Sequence, residues 1–383
     1  MSMRYFIWAG LALVFLPLAG LGLWLATLPA GPVAFAAPPV PQAEMDVMLA
    51  ALKPPKRSRP LVAVVGINDA TETTDYLMPT GILRRADVGE IVTLSTEAGP
   101  VTLYPALSVE ADATIDAFDA RHPEGPDYVI VPAMSRDDDP TVIAWLRKQA
   151  KDGAVIIAIC AGAKVIAAAG LLDDRRATTH WYYLDDLLKR HPSIRYVGDR
   201  RMVVDRGVAT TTGITASMPM MLTLIEAIAG RDKAEAVAKD LDLDRWDSRH
   251  DSAAFKLTRP FATTILGNSL AVWSRDRFGI ALEPKLDEVS LALVADAWSR
   301  TYRSRVELLA AYPTAVTTRN GVRLLPDRVT AIWSGERLPR EWASKRPAEA
   351  LEEALQNIAA RYGQATADIV AMQLEYPRSG AGS

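Results

Sequence analysis

From residue 61 onward, short apolar runs rich in valine and isoleucine alternate with segments of helical spacing. The runs LVAVVGI (61–67), GEIVTL (89–94), DYVIVPA (127–133) and AVIIAI (154–159) have the length and composition of buried strands. Between the last two, apolar residues recur at helical spacing over 140–151, with proline at the start and glycine just after the end. This alternation predicts an α/β domain with a mainly parallel sheet and flanking helices.

The only cysteine of the chain, Cys160, directly follows the fourth run and precedes Ala161, Gly162 and a helical segment. Parallel sheets bind ligands at the carboxyl ends of their strands, where Cys160 falls. A helix N-terminus favours an anion, so the pattern predicts a cysteine nucleophile on a strand-to-helix elbow. The alternative is a small buried apolar residue, a common fate of free cysteine. A single cysteine excludes an intramolecular disulfide and a cysteine-rich zinc site.

A sulfur nucleophile needs an acid–base partner, and the chain has four histidines. His180, in RRATTHW, follows the elbow helix after one short loop and can return over the same sheet edge, although a purely structural role is the alternative. His122 and His191 each precede proline in polar surroundings, which is typical of surface loops, and His250 lies in an acidic loop. His180 is therefore the candidate histidine of the site.

The N-terminal segment from Tyr5 to Leu28 carries no charge and is long enough for a transmembrane helix. We therefore predict a membrane anchor over residues 1–30, a lipid bilayer as partner, and a globular part outside the cytoplasm. A small-x-small sequence at 34–36 leaves a cleaved signal, and thus a secreted protein, as the alternative. Residues 31–60 are rich in proline and alanine and indicate a stiff, solvated linker.

The composition becomes strongly charged after Gly230, so residues 231–383 form a separate region in this interpretation. EVSLALVA (288–295) has a strand-like pattern, and the tail 347–377 predicts one or two amphipathic helices. Parts of this region resemble 89–112 and indicate a degenerate partial repeat. The aspartates of 240–251 are better explained as a solvated acidic loop than as a calcium site, because arginine occupies the position that needs glycine.

Around the cysteine, AICAG (158–162) followed by AAAGLLDDRRATTHW (167–181) resembles the ThiJ/PfpI superfamily, a branch of the class I glutamine-amidotransferase-like fold. The longer stretch 137–181 is most similar to the amidase-like sensor domain of AraC-type regulators. The resemblance covers residues 61–230 and implies a flavodoxin-like architecture for them. Unlike those regulators, the chain shows no basic helix-turn-helix pair after residue 250.

The resemblance implies an acidic partner for the cysteine on the loop after the first strand. The matching position is Asp75, four residues before Pro79, and in relatives this carboxyl group hydrogen-bonds the cysteine and is protonated or shares its proton. Asp75 is therefore the expected general acid and base. Asp69 and Glu72 lie nearby and are expected to be solvated loop charges.

The resemblance also implies the residues of the pocket. Gly213 and Thr215 match the loop that lines it, and Ala133 with Met134 stands where relatives often have two glycines whose backbone N–H groups help to hold an oxyanion. Together with the two residues after the cysteine, the expected pocket residues are Ala133, Met134, Ala161, Gly162, Gly213 and Thr215.

Two departures narrow the expected chemistry. Ala161 stands where the protease-like relatives have histidine, and the late His-x-Glu of glutaminases is absent, which disfavours both activities.

The prediction is an enzyme without cofactor or metal in which Cys160 attacks a carbonyl or carbon–nitrogen electrophile, Asp75 shuttles the proton and His180 shapes the pocket. The alternative is a non-catalytic ligand or redox sensor. A small molecule is the expected partner and a homodimer is possible, whereas the formal net charge of −3 argues against nucleic acid.

Overall fold

The structure is a computed structural model that describes residue 16 and residues 19–31, 37–330 and 332–377. Its strands are β1 (Leu61–Gly66), β2 (Asp69–Glu72), β3 (Glu90–Ser95), β4 (Pro100–Tyr104), β5 (Ser108–Glu110), β6 (Ala113–Thr114), β7 (Tyr128–Val131), β8 (Val155–Ala158), β9 (Arg176–Ala177), β10 (Arg195–Tyr196), β11 (Met202–Asp205), β12 (Val208–Thr211), β13 (Asp276–Ala281), β14 (Ser304–Ala310), β15 (Val316–Thr317), β16 (Arg323–Leu325), β17 (Arg328–Val329) and β18 (Glu336–Arg337). Its helices are α1 (Gln42–Ala51), α2 (Thr73–Ala86), α3 (Ile115–Arg121), α4 (Pro140–Lys151), α5 (Gly162–Ala168), α6 (Leu184–Arg190), α7 (Ser217–Ala229), α8 (Arg231–Leu241), α9 (Arg259–Leu270), α10 (Glu288–Ser299), α11 (Pro347–Tyr362) and α12 (Gln364–Leu374).

The largest sheet has seven strands in the order β11–β12–β8–β7–β1–β3–β6. All neighbours pair in parallel except β11 with β12, which are antiparallel. The four apolar runs of the sequence are the strands β1, β3, β7 and β8, so the predicted parallel sheet is confirmed. Strands β1, β7 and β8 are buried along their whole length because helices cover both faces of the sheet. The carboxyl ends of β1, β7, β8 and β12 meet at one edge.

The second half of the chain is joined to the first through a shared sheet. A five-stranded sheet has the order β15–β16–β5–β4–β2, in which β16 pairs antiparallel with β5, for example Leu324 opposite Val109. A separate four-stranded parallel sheet, β17–β14–β13–β18, belongs entirely to the second half. Whether this half is a degenerate repeat of the first stays a prediction.

One predicted element of the second half is wrong. The run EVSLALVA was interpreted as a strand, but it is the first part of the helix α10, which Asp287 caps by accepting hydrogen bonds from the N–H groups of Val289 and Ser290. Nearly every residue of α10 is buried, since α10 packs between α2 and α11. A helix buried on all sides shows no amphipathic period, so its apolar run looks like that of a buried strand. The two helices predicted for the tail are confirmed as α11 and α12.

The segment interpreted as a solvated linker packs on the first half instead. Helix α1 buries Met48 against the core, and Leu52 beyond its end is fully buried. The backbone oxygen of Leu52 accepts a hydrogen bond from the hydroxyl of Tyr128 in β7 at 2.7 Å. Buried Asp127 accepts from the backbone N–H groups of Lys56 and Arg57 at 3.0 and 2.9 Å. This part of the chain is therefore fixed to the sheet.

The predicted transmembrane helix needs correction. Of the uncharged segment from Tyr5 to Leu28, residue 16 and residues 19–28 are described, with 19–27 helical, and the rest lies outside the described residues. Among the helices that the structure describes, none combines the length and the apolar character needed to cross a bilayer. The bilayer anchor and the membrane localisation deduced from it are therefore withdrawn.

Candidate functional site

Cys160 lies on a strained turn between β8 and α5, at the carboxyl edge of the large sheet. Its φ angle is 54°, in the left-handed region that non-glycine residues rarely adopt. Its N–H donates to the hydroxyl of Thr211 at 3.0 Å, and its carbonyl accepts from the hydroxyl of Thr179 at 3.2 Å. A Cβ on Gly162 would lie 2.1 Å from the carbonyl oxygen of Val131 in β7. Only glycine therefore lets α5 begin this close to β7. These contacts form the elbow that the sequence predicts.

Asp75 lies in the first turn of α2 and is fully buried beside the elbow. Its Oδ2 accepts a hydrogen bond from the backbone N–H of Ala133 at 3.0 Å, while its Oδ1 has no partner among the described residues. Burial, followed by the nearby Glu72, raises the pKa of Asp75 well above its ordinary value. The raised pKa favours the protonated form of this carboxyl group, which would give Asp75 a proton to donate.

Glu72 caps α2 and holds Asp75 in place. The carboxylate of Glu72 accepts from the backbone N–H of Asp75 at 2.6 Å and from the guanidinium of Arg300 at 2.6 Å. Arg300 also donates from Nε to Asp296 at 2.6 Å; Asp296 lies in the last turn of α10, and Arg300 directly follows that helix. The side chains of Glu72, Asp296 and Arg300 are 8%, 0% and 14% exposed. The expectation of a solvated Glu72 is therefore wrong: Glu72 is one of three members of a buried ion cluster that links the two halves of the chain.

The thiol of Cys160 is neutral in this environment. Burial raises its pKa well above the ordinary value, and the carboxyl groups of Asp75, Glu72 and Glu375 raise it further, whereas the backbone N–H of Ala161 lowers it. The sequence pattern predicts that the helix N-terminus favours a thiolate. The structure differs, because α5 has only seven residues and the effects of burial and of the neighbouring acids on the pKa of Cys160 are larger than that of the helix N-terminus.

His180 is close to the elbow in sequence, but both of its ring nitrogens are engaged elsewhere. Nδ1 accepts from the backbone N–H of Tyr182 at 3.1 Å, and Nε2 lies 2.9 Å from the carbonyl oxygen of Gln373. A carbonyl oxygen only accepts, so Nε2 carries the proton and the ring is neutral. Burial lowers the pKa of His180 to about 4. In this structure His180 positions the loop after the elbow rather than offering a ring nitrogen to Cys160.

The predicted pocket residues Gly213 and Thr215 contact a segment that the sequence did not implicate. The N–H of Gly213 donates to Oε2 of Glu375 at 2.6 Å, and the hydroxyl of Thr215 donates to the carbonyl oxygen of Glu375 at 2.8 Å. Trp181 donates from its backbone to Oε1 of Glu375 at 2.7 Å and from its indole to the carbonyl oxygen of Met372 at 2.9 Å. Residues 372–375, here named the C-terminal latch, therefore close the sheet edge beside Cys160.

A cavity of about 300 Å³ lies against the latch. Glu375 is part of its wall, and so is Thr179, whose hydroxyl bonds the carbonyl of Cys160. The remaining wall is mixed, with aromatic rings and several polar or charged groups, and consists of Trp181, Tyr182, Leu184, Asp185, Tyr196, Thr212, His250, Ser252, Phe255, Lys256 and Leu257. A space of this size and lining suits a small organic molecule with a polar group.

The backbone at Ala133 and Met134 is already paired. The N–H of Ala133 donates to Asp75, and its carbonyl oxygen accepts from the N–H of Glu72 at 2.9 Å. Met134 forms an isolated antiparallel bridge with Thr71. An oxyanion held by the N–H of Ala133 would have to replace Asp75 there, so the predicted oxyanion role of these two residues stays a prediction.

Three residues of this site, Asp296, Arg300 and Glu375, were not predicted from the sequence, and they differ in how clear their sequence signals are. Asp296 and Arg300 stand four residues apart near the end of an otherwise apolar run, and an i,i+4 charge pair there is itself a helix signal. Glu375 had no such signal, since it contacts Gly213 and Trp181 across 162 and 194 residues of sequence.

Comparison with known proteins places this region in a family. Residues 62–227 match the DJ-1/PfpI family. The HTH-type transcriptional regulator CdhR of Pseudomonas aeruginosa is 32% identical over 168 residues, which are 43% of this chain and 48% of that protein. The isonitrile hydratase of Pseudomonas putida is 36% identical over 106 residues, 27% of this chain and 45% of that enzyme. The chain thus spans about half the length of these curated relatives.

Among solved structures, oxidized DJ-1 of Toxoplasma gondii is similar with 25% identity and a TM-score of 0.42, covering 49% of this chain and 100% of that one.

Proposed function

Because residues 62–227 form a domain of the DJ-1/PfpI family, we propose that the chain uses Cys160 as a nucleophile toward a small carbonyl or carbon–nitrogen electrophile, with Asp75 as proton donor and acceptor. The relative named isonitrile hydratase supports a carbon–nitrogen substrate. The match with that relative covers less than half of it, so the substrate class is part of the proposal.

The observation that carries this proposal is the state of Asp75. Its carboxyl group is buried, has a pKa raised well above the ordinary value, and is fixed through Oδ2, while Oδ1 has no partner within the part of the chain that the structure describes. A carboxyl group that holds a proton beside a thiol is suited to act as its general acid. A general acid must keep its proton at working pH, and the raised pKa of Asp75 favours this.

The proposed step requires no preformed thiolate. The sulfur of Cys160 forms a bond to the electrophilic carbon, and one π bond of the electrophile breaks. The electron pair of that bond takes the proton of Asp75, and the thiol proton replaces it on the carboxyl group. Asp75 ends neutral, and no isolated charge is left in the buried site.

The test compares turnover of an isonitrile panel and of methylglyoxal by the full chain and two variants. We expect Cys160→Ser and Asp75→Asn each to lower turnover at least about 100-fold, because one removes the sulfur and the other removes the proton without changing the shape of the side chain. The matched control is Asp69→Asn, which alters a carboxylate that is 64% exposed and paired with Arg136. Turnover that survives in Asp75→Asn but falls in Asp69→Asn would contradict the assignment of the acid.

A second candidate function, a ligand or redox sensor, is favoured by the C-terminal latch. Cys160 is only 4% exposed, and the latch covers the sheet edge where a substrate would enter. If the chain shows no turnover, but hydrogen peroxide oxidises Cys160 and increases hydrogen exchange in α12, the sensor is supported and the enzyme is rejected. Cys160→Ser must abolish that response.

A further inference from the structure

Three separate segments of the chain converge on the carboxylate of Glu375. Trp181, on the loop after the elbow helix, donates its backbone N–H to Oε1 at 2.7 Å. Gly213, after β12, donates its backbone N–H to Oε2 at 2.6 Å. Nε2 of His250 lies 3.6 Å from Oε2. Each oxygen thus receives its own backbone donor, and the three groups are here named the carboxylate cradle.

The shape of the cradle matches a carboxylate on a short chain. A Cβ on Gly213 would lie 2.4, 2.6 and 2.9 Å from the Cβ, Cγ and Cδ atoms of Glu375, so glycine is required for the side chain to lie there. The φ angle of Gly213 is −72°, which any residue can adopt. The glycine therefore provides space rather than backbone freedom. The side chain of Glu375 beyond its Cα has the atoms of propionate.

The cradle opens on the cavity described above. Glu375, Trp181 and His250 belong to the wall of that cavity, which also contains the rings of Tyr196 and Phe255. His250 stacks on Phe255 with the ring centroids 5.1 Å apart and an angle of 7° between the planes. The cavity therefore offers about 300 Å³ for the body of a molecule whose carboxylate reaches the cradle.

We propose that the carboxylate cradle is a binding subsite for small carboxylic-acid ligands, that Glu375 occupies it as a built-in ligand, and that a ligand entering the cavity displaces this side chain. Displacement needs only rotation of the Glu375 side chain, since the bonds from Trp181 to Met372 and from His180 to Gln373 involve backbone oxygens of the latch. The proposal goes beyond the chemistry at Cys160 and does not depend on it.

The experiment uses free carboxylates that replace the atoms removed by mutation. Glu375→Gly removes the equivalent of propionate, and the φ angle of 48° at this position suits glycine. Glu375→Ala removes the equivalent of acetate. At constant ionic strength we expect propionate to raise the Tm of the first variant, and acetate that of the second, in a saturable way. Propionamide and acetamide, which lack the charge, should not. Calorimetric titration gives the affinities.

Three further proteins make the result decisive. Wild type should bind propionate at least about tenfold more weakly than Glu375→Gly, because the tethered carboxylate competes, and propionate should increase hydrogen exchange of residues 372–375. Adding Gly213→Ala to Glu375→Gly should abolish binding, since the new Cβ fills the cradle. Glu235→Ala removes a carboxylate that is 57% exposed and should behave as wild type. Any one of three results would overturn the proposal. These are an equal rise in Tm with the acid and with the amide, binding of propionate that persists after Gly213→Ala is added, and no binding of propionate by wild type.

Discussion

Cys160 has its backbone at φ 54°, a strain on the order of 1–3 kcal/mol that the surrounding contacts must hold in place. Thr211 and Thr179 fix its N–H and its carbonyl. Burial raises the pKa of the thiol and of the Asp75 carboxyl group, which favours the neutral form of each. At the scale of single residues, the proposed reaction therefore depends on a proton supplied by Asp75, and the electrophile has to bind before the thiol loses its own proton.

His180 gives a pH-dependent prediction at this scale. Burial lowers its pKa to about 4 from an ordinary 6.5, and a protonated ring would in addition lose the bond that Nδ1 accepts from Tyr182. Between pH 6.5 and pH 4, the ring of His180 binds a proton in the unfolded chain but not in the folded chain. The contribution of His180 to the free energy of unfolding is therefore fully present above pH 6.5. It is lost as the pH falls toward 4, and the loss amounts to about 3 kcal/mol.

His180→Gln is the variant to compare, because its amide can still donate to Gln373 but does not titrate in this range. We expect the stability of wild type to fall more steeply than that of His180→Gln between pH 6.5 and 4 in urea unfolding. His122→Gln, at the end of α3, is the control and should follow wild type. Parallel curves for wild type and His180→Gln would contradict a buried neutral ring.

At the scale of elements, the strands were easier to predict than the helices that bury them. β1, β7 and β8 carry branched residues throughout and lie within a parallel sheet, so composition and length identified them. The buried helix α10 has a similarly continuous apolar run, and only its cap at Asp287 and the charge pair near its end distinguish it from a strand. The pattern of apolar residues along the chain predicts that a segment is buried, but it does not indicate which neighbouring element buries it.

The ion cluster between α2 and α10 gives the prediction at this scale. Arg300→Met should cost about 3–5 kcal/mol in the free energy of unfolding, because it leaves the carboxylates of Glu72 and Asp296 buried without their cation. The loss should shrink as the pH falls, because burial raises the pKa of Asp296 and its unpaired carboxylate then takes up a proton more readily. Chemical denaturation at several pH values measures both effects.

The matched control is Arg323→Ala, which breaks a pair with Glu110 whose side chains are 54% and 39% exposed. It should cost less than about 1 kcal/mol and show no such recovery at low pH. Equal costs for the two arginines would mean that the buried cluster does not hold the halves together. Adding Glu72→Gln and Asp296→Asn to Arg300→Met should restore the free energy of unfolding. Such a result would confirm that the loss comes from unpaired charge rather than from lost packing.

The candidate site was predictable from sequence only as far as local pattern extends. Cys160 and Gly162 follow from the strand, the turn and the helix that surround them. Asp75 came from the family resemblance rather than from any spacing. The partners of the predicted pocket residue Gly213 could not be found, because Glu375 approaches it from the far end of the chain. Long-range contacts of this kind depend on how elements pack, which local periodicity does not encode.

At the scale of the whole molecule, the two halves share one core. A single buried cluster contains Ile82 and Leu222 of the first half together with Leu291 and Leu355 of the second. Strand β16 completes a sheet begun by β2, β4 and β5, and α10 lies directly on α2. The second half also supplies Arg300 and Glu375 to the site. The described part of the chain is therefore expected to unfold as one cooperative unit.

Two helical glycines test this expectation, since they should respond to the same substitution in opposite directions. A Cβ on Gly81 of α2 would lie 2.5 Å from Oε1 of Glu288 and 2.8 Å from Cγ2 of Val289, both in α10. Gly81→Ala should therefore cost about 1–3 kcal/mol despite the better helix propensity of alanine. Within the described part of the chain, Gly267 of α9 has nothing within 4 Å of such a Cβ. Gly267→Ala should add about 0.5–1 kcal/mol to the free energy of unfolding.

Native-state hydrogen exchange then shows whether the cost at Gly81 is felt across the molecule. The most protected amides of β1 and β7 in the seven-stranded sheet, and of β13 and β14 in the four-stranded sheet, should lose the same free energy of protection in Gly81→Ala. Such equality is expected because these amides exchange only when the shared core opens as a whole. A loss confined to one sheet would mean that the halves open separately. In that case Arg300 and Glu375 could leave the site while the seven-stranded sheet stays folded.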